Sequence, residues 1–290
     1  MSPALPIKKI LADHRLAPSK KLGQNFLVHG QTAERIVDLS GISAEDTAIE
    51  LGVGLGSLTL PLARRVRRLI GIELDAGIIA YHEEQRDLPG NVTLLHQDLL
   101  KTDFAALARE TGGPLKILAN LPYSISNPLL FKLVENHAHL AWAVLMLQKE
   151  VGQRLTAAVG SKEYGVLSVL LAGCATVRTL MQVGPAQFHP RPKVDSVVVK
   201  ISFLPVPERV TALPPHDRQL LRRLVNAAFQ QRRKTLRNAL SAGLFPDVAK
   251  EKVGDLLRAA GINPETRAER LTIEDFVRLT CLVAQSPPLP

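Results

Sequence analysis

The sequence predicts a doubly wound α/β domain, built on a mostly parallel sheet with an antiparallel edge pair, followed by a small all-helical domain. Three observations carry that expectation. Short apolar runs alternate with helical patterns over residues 49–147, as a parallel sheet with crossover helices requires. The first run, Ile49-Glu50-Leu51, ends in Gly52, Gly54 and Gly56, residues that allow a tight turn and let a ligand approach the backbone. Beyond residues 204–215, which hold four prolines, helical periodicity replaces the β-rich pattern.

The remaining elements follow in chain order. Residues 1–30 carry Lys8, Lys9, Arg15, Lys20 and Lys21 against Asp13, among Pro3, Pro6 and Pro18. They read as a basic arm, either touching phosphates or simply solvated. Residues 31–205 form the α/β domain and residues 206–290 the helical one. A helix is expected over residues 31–40, a strand into the glycine turn, a helix over 58–68 and a strand over 68–73 that ends at Glu73. A helix over 78–87 leads to a strand over 91–97 ending at Asp98, and further strands cover 116–119 and 142–147. Residues 175–183 and 197–203 are β-rich, with no convincing helix between them, and read as the antiparallel edge pair. The loop joining them, residues 188–196, is stiffened by prolines and holds Phe188. In the last domain, residues 218–237 contain seven basic residues and no acid, interleaved with apolar residues at helical spacing. Residues 230–234 are either a break or a continuation of that helix. Thr272 and Asp275 have the spacing of an N-terminal capping box.

Composition narrows the function classes. With 290 residues, 46% of them hydrophobic, the chain builds an ordinary core. A net charge of +9 and a pI near 9.8 make an anionic macromolecule the first partner to consider. Nucleic acid is favoured over a membrane surface, because aromatics are only 4% and no lipidation signal is present. Cys174 and Cys281 have neither C-x-x-C nor Cys/His spacing, so no disulfide framework or metal site is indicated and a cytoplasmic setting fits. The longest apolar stretch, residues 166–177, is shorter than the roughly 20 residues that span a bilayer.

The chemistry concentrates at the strand ends. Adjacent parallel strands deliver their C-terminal ends to one edge, so the glycine turn, Glu73, Asp98 and Asn120 should meet there. Glu73, about 20 residues past the turn, is placed either to accept ribose hydroxyls or to cap the next helix. Asn120-Leu121-Pro122-Tyr123 supplies an amide oxygen and a carbonyl that can accept from the exocyclic amine of a base, and a ring on which an unstacked base can lie. No paired catalytic carboxylates, nucleophile elbow or metal cluster is evident, which fits transfer of an activated group by alignment.

Asn25-Phe26-Leu27, the turn from Glu50 to Gly56, Glu73, Asp98, Asn120 to Tyr123, the loop from Phe188 to Ser196 and Ala228-Phe229-Gln230-Gln231-Arg232-Arg233-Lys234-Thr235-Leu236 together resemble the KsgA/RsmA family of small-subunit ribosomal RNA adenine N6-dimethyltransferases. The similarity runs from about Lys20 to Leu279. It implies a class I, Rossmann-like methyltransferase that uses S-adenosylmethionine and places two methyl groups on each of two adjacent adenines in a hairpin loop near the 3′ end of small-subunit rRNA. It also implies site roles. Asn25, Leu27, Gly52 and Gly54 would surround the methionine and ribose part of the cofactor, Glu73 the ribose hydroxyls, and Asp98 the adenine amine. Asn120 would lie between cofactor and target, with Leu121 and Pro122 beside it and Tyr123 and Phe188 stacking on the extruded adenine. Arg222, Arg223, Arg232, Arg233 and Lys234 would meet RNA phosphates, the partner being the immature small subunit and the enzyme a monomer. Two alternatives are a large-subunit rRNA adenine dimethyltransferase of the antibiotic-resistance type and a ribosome-assembly factor acting mainly by binding.

Overall fold

The structure is a computed structural model that describes residues 7–14, 16 and 23–285. Arg15, Lys20, Lys21 and the three prolines of the expected basic arm, with the side chain of Lys8, lie outside the described residues. Among those described, the strands are β1 (Phe26–Leu27), β2 (Thr47–Leu51), β3 (Arg68–Glu73), β4 (Val92–His96), β5 (Leu115–Asn120), β6 (Leu140–Gln148), β7 (Thr176–Val183), β8 (Phe188–His189) and β9 (Ser196–Ser202). Seven form one sheet in the order β4-β3-β2-β5-β6-β9-β7. β2 to β6 pair in parallel, while β9 runs antiparallel to β6 and β7 completes the edge beside it. The central strands are almost wholly buried, which is why they read as continuous apolar runs rather than alternating ones. Strand order reverses between β2 and β5, leaving a crevice beyond their carboxyl ends.

Helices join the strands with the signals expected of them. Helix Gly30–Ser40 stops at Gly41, whose φ of 74° suits a residue without Cβ. Helix Ala76–Gln85 is capped by Asp75, whose carboxylate accepts from the N–H groups of Gly77 and Ile78. The helix expected over residues 58–68 is shorter, Thr59–Ala63. The Asn91 side chain donates to the carbonyls of Ala63 and Val66, and Arg67 N–H bonds the Asp46 carbonyl, so the chain has already turned into β3.

The chain divides into two compact units, Met1–Gly152 with Val177–Pro205 and Gln153–Thr176 with Val206–Pro290. The division departs from the expected boundary at residue 206, because residues 153–176 group with the C-terminal helices. Their ties to it are specific. Tyr164 Oη donates to the Leu271 carbonyl at 3.0 Å, Gly160 N–H to the Glu269 carbonyl at 2.7 Å, and the Tyr164 and Phe229 rings lie 6.1 Å apart. The apolar stretch near residue 166 is the helix Val166–Ala172, packed on helices Arg218–Gln230 and Ile273–Gln285. The cationic segment breaks between helices Arg218–Gln230 and Leu236–Gly243. The capping box holds: Thr272 N–H donates to the Asp275 carboxylate, and Asp275 N–H to Thr272 Oγ1.

One packing constraint links the sheet to the glycine turn. Gly71 in β3 lies under Val53, and a Cβ there would sit 2.5 Å from Val53 Cγ2, a β-branched side chain with little rotamer freedom. Gly71→Ala is expected to lower stability by about 1–3 kcal/mol, read as a reduced urea midpoint at unchanged slope.

Candidate active site

The site is built from the turn that ends β2. Gly52, Gly54 and Gly56 adopt φ of 83°, 54° and 79°, a left-handed region that side-chain-bearing residues rarely enter. Hydrogen bonds fix this path: Gly52 N–H donates to the Ile72 carbonyl at 2.8 Å, Gly56 N–H to Val53 at 3.2 Å, and Gly54 N–H to Glu73 Oε2 at 2.9 Å. The other oxygen of Glu73 accepts from the N–H groups of Leu74 and Asp75. Helix capping falls to Asp75, so Glu73 is free of that role and holds the turn.

All seven residues expected to hold the cofactor, Asn25, Leu27, Gly52, Gly54, Glu73, Asp98 and Asn120, line one cavity at this edge of the sheet. Asp98 Oδ1 accepts from Leu100 N–H at 2.9 Å, which leaves Oδ2 for an outside donor. Asn120 Nδ2 donates to the Asn25 carbonyl at 3.2 Å. That bond sets the amide orientation and presents Oδ1 as an acceptor. The Asn25 segment is anchored by a contact that sequence reading missed. β1 pairs antiparallel with β8, matching Phe26 with His189 and Leu27 with Phe188, and Ser57 Oγ donates to the Leu27 carbonyl at 2.7 Å. Two-residue strands carry too little pattern to be seen in advance.

Glu50 was also missed as a functional residue. It is 1% exposed, lines the same cavity, and neither carboxyl oxygen has a hydrogen-bond partner. Burial pushes its pKa up to about 8; the neighbouring Thr59 hydroxyl opposes this and the charge of Glu73 adds to it. An acid inside an otherwise apolar strand was the available signal. Glu73 and Asp98, with the buried Glu50 carboxyl beside them, line a carboxyl-rich cavity in a basic chain, which suits a cationic ligand. S-adenosylmethionine, with its sulfonium and ammonium groups, is such a ligand.

The tetrapeptide divides. Pro122 lines the cavity, Leu121 is buried at 2% exposure, and Tyr123 is half-buried with its hydroxyl 2.7 Å from Ser196 Oγ. Burial pushes the Tyr123 phenol up, with the Ser196 bond opposing. Phe188, expected to stack on the extruded adenine, lies in the core beside the site. It is 4% exposed and packs in the core with Leu27, Met146 and Val198, because the β1–β8 pairing turns it inward.

In the second unit Arg223, Arg233 and Lys234 are exposed and Arg222 is half-buried. Arg232 is committed within the protein: it donates to the carbonyls of Lys162 and Tyr164 at 2.8 and 2.9 Å and lies 3.6 Å from Glu269. Among the described residues no group of three or more His, Cys, Asp or Glu is placed to hold a metal ion.

A doubly wound sheet with β9 inserted antiparallel between β6 and the edge strand β7, a left-handed glycine turn at the strand reversal and a carboxyl-lined cavity beside it define a class I methyltransferase. Comparison with known proteins narrows the class. The ribosomal RNA adenine dimethylase profile matches residues 16–285. A protein of Desulfotalea psychrophila named ribosomal RNA small subunit methyltransferase A is 50% identical, covering 95% of this chain and 94% of that one. A protein of the same name from Magnetococcus marinus is 44% identical, covering 94% of each. The crystal structure of a Plasmodium falciparum dimethyladenosine transferase superposes with a TM-score of 0.73 at 26% identity, over 90% of this chain and 98% of that one. The chain belongs to the ribosomal RNA adenine dimethylase family. It is a methyltransferase of ribosomal RNA, and its methyl donor is S-adenosylmethionine.

Glu50 yields a pH prediction. Its folded pKa, about 8, exceeds the ordinary glutamate value of 4.5, so the folded state holds the extra proton and stability falls as pH rises between those values. Without cofactor, Glu50→Gln should lose this slope and exceed the parent by roughly 2–4 kcal/mol at about pH 8, measured by urea unfolding across pH.

Proposed function

We propose that the chain dimethylates N6 of two adjacent adenines in the hairpin loop near the 3′ end of small-subunit rRNA, acting as a monomer on the immature subunit in the cytoplasm. The observation that carries this is the Asn120 amide, whose donor is tied to Asn25 so that its Oδ1 is an acceptor at the cofactor cavity. S-adenosylmethionine supplies an electrophilic methyl group. The protein's part is alignment. Asn120 Oδ1 and the Leu121 carbonyl accept the N6 hydrogens, which turns the amine lone pair toward the methyl carbon. Each transfer forms an N6–carbon bond, breaks a sulfur–carbon bond and sheds one N6 proton to solvent.

Stacking falls to Tyr123, its ring steadied by the Ser196 bond and worth roughly 1–3 kcal/mol per base. After one transfer the amine keeps a single N–H, so this stacking holds the intermediate while one acceptor bond remains. Phe188 supports the pocket from beneath by packing against Leu27. Arg223, Arg233 and Lys234, exposed on the second unit, meet phosphates, with Arg222 in a lesser role and Arg232 bracing the loop that carries Tyr164. The small subunit is preferred over the large one because the relatives that match nearly end to end carry the small-subunit name.

The test is incubation of unmethylated small subunits, and separately large subunits, with labelled S-adenosylmethionine, followed by mass spectrometry of the nucleosides. Dimethyladenosine should appear in small-subunit RNA; its absence there overturns the reading. Asn120→Ala should lower kcat by about 100- to 1000-fold with RNA affinity unchanged. Replacing Arg223, Arg233 and Lys234 together should flatten the salt dependence of RNA binding by about three in log–log slope, whereas Arg232→Ala should lower stability more than slope.

A further inference from the structure

Helix Ala76–Gln85 turns Ile78, Ile79, Tyr81 and His82 to the interior. The first three are core residues. His82 is as deeply buried, its side chain 1% exposed, yet both ring nitrogens are engaged. Nδ1 lies 2.7 Å from Asp87 Oδ1 and Nε2 lies 2.8 Å from the carbonyl of Gly54. A carbonyl oxygen only accepts, so Nε2 carries a hydrogen; a carboxylate only accepts, so Nδ1 carries one too. The geometry is that of an imidazolium paired with Asp87. The same Gly54 donates its N–H to Glu73 Oε2. The two peptide units flanking its Cα are therefore both held, one by Glu73 and the other by His82, at a residue whose φ is 54° and which packs against the Phe26 ring.

We propose that His82 is a positioning residue of the cofactor site, holding the Gly54 carbonyl as an imidazolium steadied by Asp87 and so fixing the left-handed turn that lines the cavity. The charge serves this role. A neutral ring donates from one nitrogen only, so losing a proton breaks either the bond to Gly54 or the bond to Asp87, and each break releases the turn or the ring that braces it. Few other ionisable groups bear on the ring. Tyr81 lies against it at 5.1 Å between ring centroids, and its phenol, pushed up first by burial, also feels the charge and a hydrogen bond of Asp87; His14 contacts Tyr81. Glu83 and Glu84 on the same helix are exposed. The short helix Thr59–Ala63 and the glycine turn contribute no ionisable side chain, and Glu73 stands on the far side of Gly54.

The proposal rests on assigning the glycine turn to the cofactor, and the experiment separates the two. Binding of S-adenosylmethionine is measured by calorimetry from about pH 6 to about pH 8.5 for the parent, His82→Phe, His82→Gln, Asp87→Asn and Asp98→Ala. In the parent, affinity should carry a component that falls as pH rises through the imidazolium titration. His82→Phe should bind roughly tenfold or more weakly at about pH 6. His82→Gln, which retains an N–H donor but does not titrate, should recover much of that loss and lack the component. Asp87→Asn, which removes the carboxylate that accepts from Nδ1, should weaken binding at about pH 6. Glu50 titrates in every variant except as binding alters it, and with the opposite sign for a cationic ligand, so the difference between parent and His82→Gln isolates the histidine. Nitrogen NMR of the parent should find both His82 ring nitrogens protonated at about pH 6. An unprotonated His82 nitrogen there, or a His82→Gln pH profile equal to the parent's, overturns the proposal even if His82→Phe fails to fold. Asp98→Ala binding like the parent would instead overturn the cofactor assignment.

Discussion

The structure depends on a peptide held where few residues can go. At the end of β2 the chain must turn out of the sheet at the point where strand order reverses, and it does so through three glycines in left-handed geometry. Such geometry is permitted to glycine but is not enforced by it. Enforcement comes from β3, whose terminal Glu73 accepts the Gly54 N–H, and from the next helix, whose His82 takes the Gly54 carbonyl. The site is therefore a property of three consecutive elements, and the parallel register of β2 with β3 is what brings them level.

Charge is divided between the two units. The chain as a whole is basic, but the cavity at the strand ends is lined by Glu50, Glu73 and Asp98. A cationic donor and a polyanionic substrate ask for opposite potentials, and a uniform surface serves neither. Placing the carboxyls inside a largely apolar cavity limits how far their field reaches into solvent. Arg223 lies on a helix of the second unit, and Arg233 and Lys234 in the turn that follows it, all three exposed to solvent. Arg232 shows the limit of reading such a run from composition: one guanidinium in it is spent on carbonyls of its own unit.

Much of this was legible because it is local. A buried parallel strand is a short apolar run, and the polar residues at or just past its carboxyl end mark the sheet edge, so Glu73, Asp98 and Asn120 could be assigned to one edge before any contact was known. What escaped was non-local. The prolines after residue 204 mark one crossing between units, but residues 153–176 leave and re-enter the sheet unit without such punctuation. Their allegiance is written in bonds such as Tyr164 to Leu271, 107 positions apart. The inward turn of Phe188 follows from a two-residue pairing with β1, and the protonation of Glu50 from the absence of partners, which no motif records.

Under the proposed reaction, the β1–β8 pairing favours an asparagine over an acid at residue 120. The Asn25 carbonyl, anchored by that pairing, needs a donor, and the target amine needs an acceptor; one amide supplies both from one side chain. An aspartate would leave the Asn25 carbonyl facing a carboxylate and would add negative charge to a cavity that already holds Glu73 and Asp98. A hydroxyl is too short to bridge the 3.2 Å bond to Asn25 while also reaching a base. The amide thus ties the Asn25 segment to the end of β5, so that two walls of the cavity are set by one side chain whose oxygen remains an acceptor.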